Sequence, residues 1–250
     1  MKIAIIGGTG LIGSQLATML QDKHEVVAAS PSTGVNTLTK EGLDEALQGA
    51  DVVIDVSNSP SFADDEVMAF FKTSTENLLA AEAKAGIKHH ILLSVVGTQQ
   101  LQKSGYFRAK NVQEKLVKAS GIPFTIVHAT QFFEFAGAIA HLSSLGGKVV
   151  VPDAFVQPIA SAEVASFLAK TATEMPANSV VEIGGPKRVE MANWIKQYLE
   201  MMKNPVEVVA DSNALYFGAS IKQSTLVPNA PIFWGNITYA EWLSKTENRR

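Results

Sequence analysis

Closely spaced glycines in the first turn of the chain limit its fold more than any other feature. Residues Lys2 to Gly13 read KIAIIGGTGLIG. Ile3, Ala4, Ile5 and Ile6 form the continuous apolar run of a strand covered on both faces, and Leu11, Ile12, Leu16, Met19 and Leu20 then recur at helical spacing. A strand, a tight turn and a helix N-terminus in series leave backbone N–H groups unpaired beside the positive end of the helix dipole, which suits a phosphate. Gly8, Gly10 and Gly13 satisfy G-x-G-x-x-G, and Gly7, Gly10 and Gly13 satisfy G-x-x-G-x-x-G. In a first strand-to-helix turn this spacing is a dinucleotide-binding fingerprint. It nominates Gly7, Gly8, Thr9, Gly10, Leu11, Ile12 and Gly13 as a diphosphate cradle.

Downstream the period alternates. Strand runs at His24–Ala29, Asp51–Val56, Lys88–Val96 and Phe124–His128 are separated by helical patterns at Glu41–Leu47, Glu66–Ala85 and Tyr106–Ser120. Repeated β-α units imply right-handed crossovers into one parallel sheet, so the expected class is α/β, a Rossmann-type doubly wound parallel sheet. From about Ala129 the pattern loosens. A short strand at Lys148–Val151, a helix at Ser161–Thr173, a strand at Val180–Ile183, a helix at Met191–Met202 and a capping box at Thr238 and Glu241 are the signals there. The expected organisation is a single domain over residues 1–250, with a small substrate lobe built mainly from about 129–250.

Composition narrows the partners. A formal charge of −3 without a basic cluster gives no footprint for nucleic acid or an anionic membrane. With no cysteine there is no disulfide framework, thiolate nucleophile or sulfur metal site, which fits a cytoplasmic setting. The apolar start is too short for a membrane span and has no cleavage pattern, so a soluble, unprocessed chain acting on a small molecule as monomer or homodimer is expected. His89 and His90 are adjacent on a strand and point to opposite faces, so no metal site is expected.

The second signal is Tyr106 with Lys110, four residues apart on one helix face. An ammonium near a phenol stabilises the phenolate and lowers its pKa from the ordinary value of about 10, which suits a proton donor to a carbonyl. Ser94 ends the strand just upstream, at the edge where open α/β sheets bind ligands, and a hydroxyl there can orient that carbonyl. GGTGLIG at the N-terminus, LSVVG at the strand end and YFRAK on the next helix resemble the short-chain dehydrogenase/reductase superfamily. GIPFTIVHATQFFEF, SAEVA and EIGGP narrow the resemblance to its atypical, NmrA-like NAD(P)H-binding branch. The resemblance implies Tyr106 as catalytic acid, Lys110 as the grip on the nicotinamide ribose, and Ser94 as orienting residue with Thr98 as its rival.

Cofactor choice turns on the second strand's end. NAD enzymes of this fold place Asp or Glu roughly 20 residues after the glycines, on the ribose 2′-OH. Here the stretch is Ala28, Ala29, Ser30, Pro31, Ser32, Thr33, without carboxylate or arginine. Ser30, Ser32 and Thr33 therefore point to NADP(H), with NAD(H) left open, and Val56, Ser57 and Asn58 should line the adenine side. His128, Phe132 and Phe133 are candidates for the substrate wall, with core packing as the alternative for each. The expected function is an NADP-dependent oxidoreductase transferring hydride between nicotinamide and a small carbonyl or quinone-like substrate. A non-catalytic NADP sensor and a nucleotide-sugar epimerase or dehydratase are the alternatives. The Tyr106–Lys110 pair argues against the first, and the limited sequence after Ala129 against the second.

Overall fold

The computed structural model describes residues 1–245. In chain order the elements are β1 (Lys2–Ile6), α1 (Leu11–Leu20), β2 (Glu25–Ala29), α2 (Leu43–Leu47), β3 (Val52–Asp55), α3 (Asp64–Ala85), β4 (His89–Val95), α4 (Gly105–Ala119), β5 (Phe124–Ala129) and α5 (Ala136–Leu142). They continue with β6 (Ser144–Leu145), β7 (Lys148–Pro152), β8 (Phe155–Val156), α6 (Ser161–Thr171), β9 (Ser179–Gly184), β10 (Val189–Glu190), α7 (Met191–Met201), β11 (Val208–Asp211), β12 (Pro231–Trp234) and α8 (Tyr239–Ser244). Every strand and helix expected from periodicity is present, with ends shifted by one or two residues. Helix α3 stops at Gly86, whose φ of 74° takes the left-handed conformation as its N–H bonds the Glu82 carbonyl. Among the described residues no helix is long and apolar enough to cross a membrane.

Contacts divide the chain into two compact units. One comprises Met1–Ser94, Gly105–His128 and Val164–Val181, the other Val95–Ser104, Ala129–Glu163 and, of the described residues, 182–245. In the first, parallel strands run in the order β9-β5-β4-β3-β1-β2. The chain leaves β1 for β2 on one side and returns to β3 on the other, the reversal at which doubly wound sheets bind ligands. Ile6 lies opposite Ala29 in β2 and Asp55 in β3, and Asp55 lies opposite Leu92 in β4. Carboxyl ends therefore share one edge, and Gly7, Ser30 and Val56 leave it side by side. Ala4, Ile6 and Val53 pack against Leu43, Leu47, Leu78 and Ala81, while Leu92 and Ile126 pack with Leu79 and Val117. This is the expected Rossmann-type α/β fold.

In the second unit, β12 pairs in parallel with residues 182–184 of β9. A three-stranded sheet runs β11-β7-β6, and β8 pairs antiparallel with β10. Helix α7 buries Met191, Trp194, Ile195 and Leu199, packing against α5, β7 and β11. The elements that periodicity did not reveal are α5 and the strands β6, β8, β10, β11 and β12. All are between two and seven residues long, too short to display a period.

Gly185 joins the β8 segment backbone to backbone. Its N–H donates to the Gln157 carbonyl at 3.0 Å, its own carbonyl accepts from Gln157 Nε2 at 2.8 Å, and any Cβ would run into the Pro158 carbonyl oxygen. Gly185→Ala is expected to cost about 3 kcal/mol or more, the upper end of overpacking penalties. Thermal unfolding should show this as a melting temperature lower by about 6–12 °C.

Candidate nucleotide-binding and active site

The turn between β1 and α1 is built so closely that side chains have no room. A Cβ on Gly13 would run into the Gly7 carbonyl oxygen, and one on Gly8 would lie 2.6 Å from the Ala28 Cα. Gly7 takes φ +81°, where a Cβ would also press on the Ser57 backbone at 3.0 Å. The N–H groups of Gly7 and Gly8 both donate to the Ala29 carbonyl, at 2.9 and 3.1 Å, fastening the turn to the end of β2. Gly10 differs. A Cβ there would meet only the Gly7 oxygen, at 3.3 Å, and Gly10 caps α1 without any side-chain hydrogen bond. The first-turn N–H groups of α1, those of Leu11, Ile12 and Gly13, have no partner within the helix and no side-chain cap at Gly10, so the residues present fit the phosphates of a dinucleotide. The Leu11 side chain is exposed while Ile12 is buried, so both contribute here through the backbone.

Beside this turn a group of hydroxyls converges. Thr9 Oγ1 lies 3.0 Å from Ser30 Oγ and 3.3 Å from Ser32 Oγ, and the two serine oxygens are 3.1 Å apart. Thr33 does not join them on equal terms. Its hydroxyl donates to the Ala28 and Ser30 carbonyls and accepts from the Ser30 N–H, closing a capping box over the 3₁₀ turn Pro31–Thr33. The expectation for Thr33 as a phosphate donor is corrected on that ground, and Thr9 takes its place in the trio. After β3, Val56 donates its N–H to Ile6, Ser57 is half-buried next to Gly7, and Asn58 is exposed.

Helix α4 carries the polar chemistry. The Tyr106 ring is packed among Phe62, Phe71 and Phe107, with centroids 5.3–5.8 Å away, and burial pushes its phenol up to about 12. The expected lowering by Lys110 does not occur, because the ammonium is engaged elsewhere. Lys110 Nζ donates to the Leu93 carbonyl at 2.9 Å and to Gln113 Oε1 at 2.5 Å, and lies 4.8 Å over the Phe71 ring. Burial lowers Lys110 to about 8, against the opposing charges of Asp55 and Glu114. Two bonds leave one ammonium N–H for a further acceptor.

Ser94 and His128 meet on a residue that the sequence did not single out. Ser94 Oγ donates to Glu114 Oε1 at 2.7 Å, and His128 Nε2 approaches the same oxygen at 2.7 Å. Glu114 is fully buried. Burial opposes its charge, but His128, Ser94 and Lys118 together hold its carboxyl below the ordinary value. The Ser94 proton is thereby spent inside the fold, correcting its expected role toward a carbonyl, and His128 is likewise held on Glu114. His89 and His90 do diverge as expected, His89 to Thr125 and His90 to Glu82, both pairs buried. No cluster of three metal-ligating side chains occurs among the described residues.

In the second unit, Thr98 is fully buried and its hydroxyl donates to the Val95 carbonyl at 2.6 Å, so this rival to Ser94 is also internally satisfied. Phe133 packs between Tyr239 and Trp242, with centroids at 5.0 and 5.8 Å, and is 2% exposed. That is core packing, which corrects its expectation as a substrate wall. Phe132 is half-buried and stacks on the exposed Phe135 at 5.2 Å.

The residues overlooked in the sequence are Asp55, Gln113 and Glu114. Asp55 ends an apolar strand, and Gln113 and Glu114 stand three and four residues beyond Lys110 on its own helix face. That spacing was the available signal.

Comparison with known proteins places this geometry. A family model described as NAD(P)H-binding matches residues 7–175, more than half of the chain. A (4-alkanoyl-5-oxo-2,5-dihydrofuran-3-yl)methyl phosphate reductase of Streptomyces griseus is 31% identical over 144 residues, covering 52% of this chain and 48% of that protein. The photosystem II assembly factor Ycf39 of Synechocystis is 27% identical over 149 residues, covering 54% and 46%. The chain thus spans about half the length of these curated relatives. In fold it is similar to a short-chain dehydrogenase/reductase superfamily protein of Agrobacterium tumefaciens solved with bound NAD. The TM-score is 0.72 at 14% identity, covering 98% of this chain and 95% of that one.

Two outcomes follow for α4. Glu114→Ala strands the Ser94 hydroxyl and His128 in the interior and is expected to cost about 3–5 kcal/mol in denaturant unfolding. The raised Tyr106 keeps its proton in the folded state where an unfolded tyrosine, near pH 10, releases it, so its contribution to stability is present below about pH 10 and is lost toward 12. Phenolate absorbance of the folded protein and of Tyr106→Phe should therefore coincide up to about pH 10.

Proposed function

This chain belongs to the NAD(P)H-binding family, and from that premise we propose that it is an oxidoreductase that takes NADP(H) in preference to NAD(H) and reduces a small carbonyl or quinone-like compound. The observation that carries the cofactor choice is the convergence of the Thr9, Ser30 and Ser32 hydroxyls beside the glycine turn, where no carboxylate stands to repel a 2′-phosphate. The Streptomyces griseus reductase among its relatives supports the reaction class.

NADP(H) supplies the hydride when bound. The backbone N–H groups of Leu11 to Gly13 would hold the diphosphate, the Gly10 N–H being given to the Gly7 carbonyl, while the hydroxyl trio would hold the 2′-phosphate and Val56, Ser57 and Asn58 the adenine side. Lys110 would give its remaining N–H to a ribose hydroxyl. Tyr106 would protonate the substrate oxygen where a carbonyl is reduced. With its phenol up at about 12 it is fully protonated at neutral pH, and a substrate alkoxide is a stronger base than the phenolate, so the proton runs downhill without help from Lys110.

A second reading, a protein that binds NADP(H) without turnover, is favoured by one observation. Both candidate orienting hydroxyls, Ser94 and Thr98, are committed to Glu114 and to the Val95 carbonyl.

Purified protein should bind NADPH at least about tenfold more tightly than NADH, and Ser30→Asp should reverse that order by repelling the 2′-phosphate. Against a panel of aldehydes, ketones and quinones, Tyr106→Phe should lower carbonyl turnover by about 10²–10⁴ with NADPH affinity unchanged. Equal turnover by both proteins removes Tyr106 as the acid. Tight NADPH binding with no consumption against any acceptor gives the second reading precedence.

A further inference from the structure

A line of buried hydrogen bonds leads from Lys110 away from helix α4 and ends in the loop after β3. Gln113 Oε1 accepts from Lys110 Nζ at 2.5 Å, and Gln113 Nε2 donates to Asp55 Oδ2 at 2.9 Å. The other Asp55 oxygen, Oδ1, accepts from the Ser57 backbone N–H at 2.9 Å and from its hydroxyl at 2.6 Å. Lys110, Gln113 and Asp55 are each no more than 2% exposed. Such a line is costly to bury unless its members are bonded, and here Gln113 and Asp55 are bonded at both of their polar atoms and Lys110 at two of its three N–H groups.

The polarity of the line has a single solution. A carboxylate only accepts and an ammonium only donates, whereas the Gln113 amide does one at each end. Asp55 must therefore face the Gln113 NH₂, and this turns the Gln113 oxygen onto Lys110. Exchanging the amide's ends would set donor against donor at Lys110 and acceptor against acceptor at Asp55.

We infer that Asp55 and Gln113 are positioning residues: through the enforced orientation of one amide they hold the Lys110 ammonium in place and tie it to Ser57, so that the loop after β3 and helix α4 act as one cofactor-facing unit. The inference rests on the proposed contact of Lys110 with the cofactor for its functional meaning, and on the hydrogen-bond geometry alone for its structural content. The groups that face the ammonium are Asp55 from β3, Gln113 and Glu114 from α4, the Leu93 carbonyl from β4 and the Phe71 ring from α3. In the buried Glu82–His90 pair burial raises Glu82, and against burial the Glu82 charge raises His90, with Asp55 adding a smaller push to both.

Two substitutions should move Lys110 in opposite directions. In Asp55→Asn the Ser57 donors hold the one remaining oxygen, the new NH₂ faces Gln113, and the Gln113 amide turns its own NH₂ toward Lys110. The ammonium loses both an acceptor and a nearby negative charge, so its midpoint falls. In Gln113→Glu a carboxylate sits directly against the ammonium while its other oxygen opposes Asp55 acceptor to acceptor, so the negative charge around Lys110 grows and the midpoint rises. Loosening of the fold alone would carry both toward the ordinary lysine value.

The test is nuclear magnetic resonance of protein labelled with ¹³C at lysine Cε, titrated with pH, the Lys110 signal being identified by its loss in Lys110→Met. The expected result is a midpoint lower by about one pH unit in Asp55→Asn and higher by a similar amount in Gln113→Glu. The pH dependence of NADPH affinity, followed by fluorescence, should move with it. Midpoints that stay at the wild-type value, or shift in the same direction in both variants, overturn the inference. Should Asp55→Asn fail to fold, Gln113→Met serves in its place. It removes the oxygen, so the midpoint must fall, and an unchanged midpoint overturns the inference equally. Opposite shifts accompanied by NADPH affinity indifferent to Lys110→Met uphold the positioning line and remove Lys110 from the proposed cofactor contacts.

Discussion

Backbone meets backbone where β1 turns into α1, and the placement of the site depends on that contact. Gly8 lies against Ala28 and Gly13 against the Gly7 carbonyl, at separations that leave no space for a methyl group. Because Gly7 and Gly8 both bond the Ala29 carbonyl, the turn is held at the end of β2 and the helix must begin within a few residues of the strand. The parallel register of β1 with β2 and β3 then brings Ser30 and Ser57 to the same edge. An uncapped helix N-terminus, a hydroxyl trio and a loop bonded to the Asp55 carboxylate are consequences of one crowded turn.

The polar interior beneath α4 has a different logic. Three carboxylates are buried there, and each is matched to particular donors: Asp55 to Gln113 and Ser57, Glu114 to Ser94 and His128, Glu82 to His90. Burial pushes Glu82 up, whereas at Glu114 the surrounding donors outweigh burial and hold the carboxyl down. Uncompensated charge in such a place costs several kcal/mol, so these pairings discriminate strongly among helix positions even where they add little net stability. They explain why Lys110, Gln113 and Glu114 of α4 face the sheet.

Much of the fold was legible in the chain. Runs such as IAII and VVID can satisfy their backbone only as covered strands, and the long helix ending at Gly86 announced itself by period and cap. The glycine cradle was legible too, since its spacing has meaning only at a strand-to-helix turn. The roles of single hydroxyls were not. Ser94, Thr98 and Thr33 looked like donors aimed outward, yet Ser94 gives its proton to Glu114 on the next helix, and Thr98 and Thr33 turn theirs back onto carbonyls of their own turns. Phe133 was ambiguous because its partners Tyr239 and Trp242 stand more than a hundred residues away in sequence.

Periodicity and glycine spacing by themselves determined the order of strands and helices, the dinucleotide-sized turn and the absence of an acid at the end of β2. These are local properties, set by backbone sterics and by which side of an element is apolar. Tertiary structure alone decided which way the polar side chains of α4 and β4 spend their hydrogen bonds, that Thr9 joins Ser30 and Ser32, and that Lys110 answers to Asp55 through Gln113. The reason is physical: a buried donor takes whichever acceptor the packing brings within about 3 Å, and that distance does not exist until strands and helices far apart in the chain have been brought together.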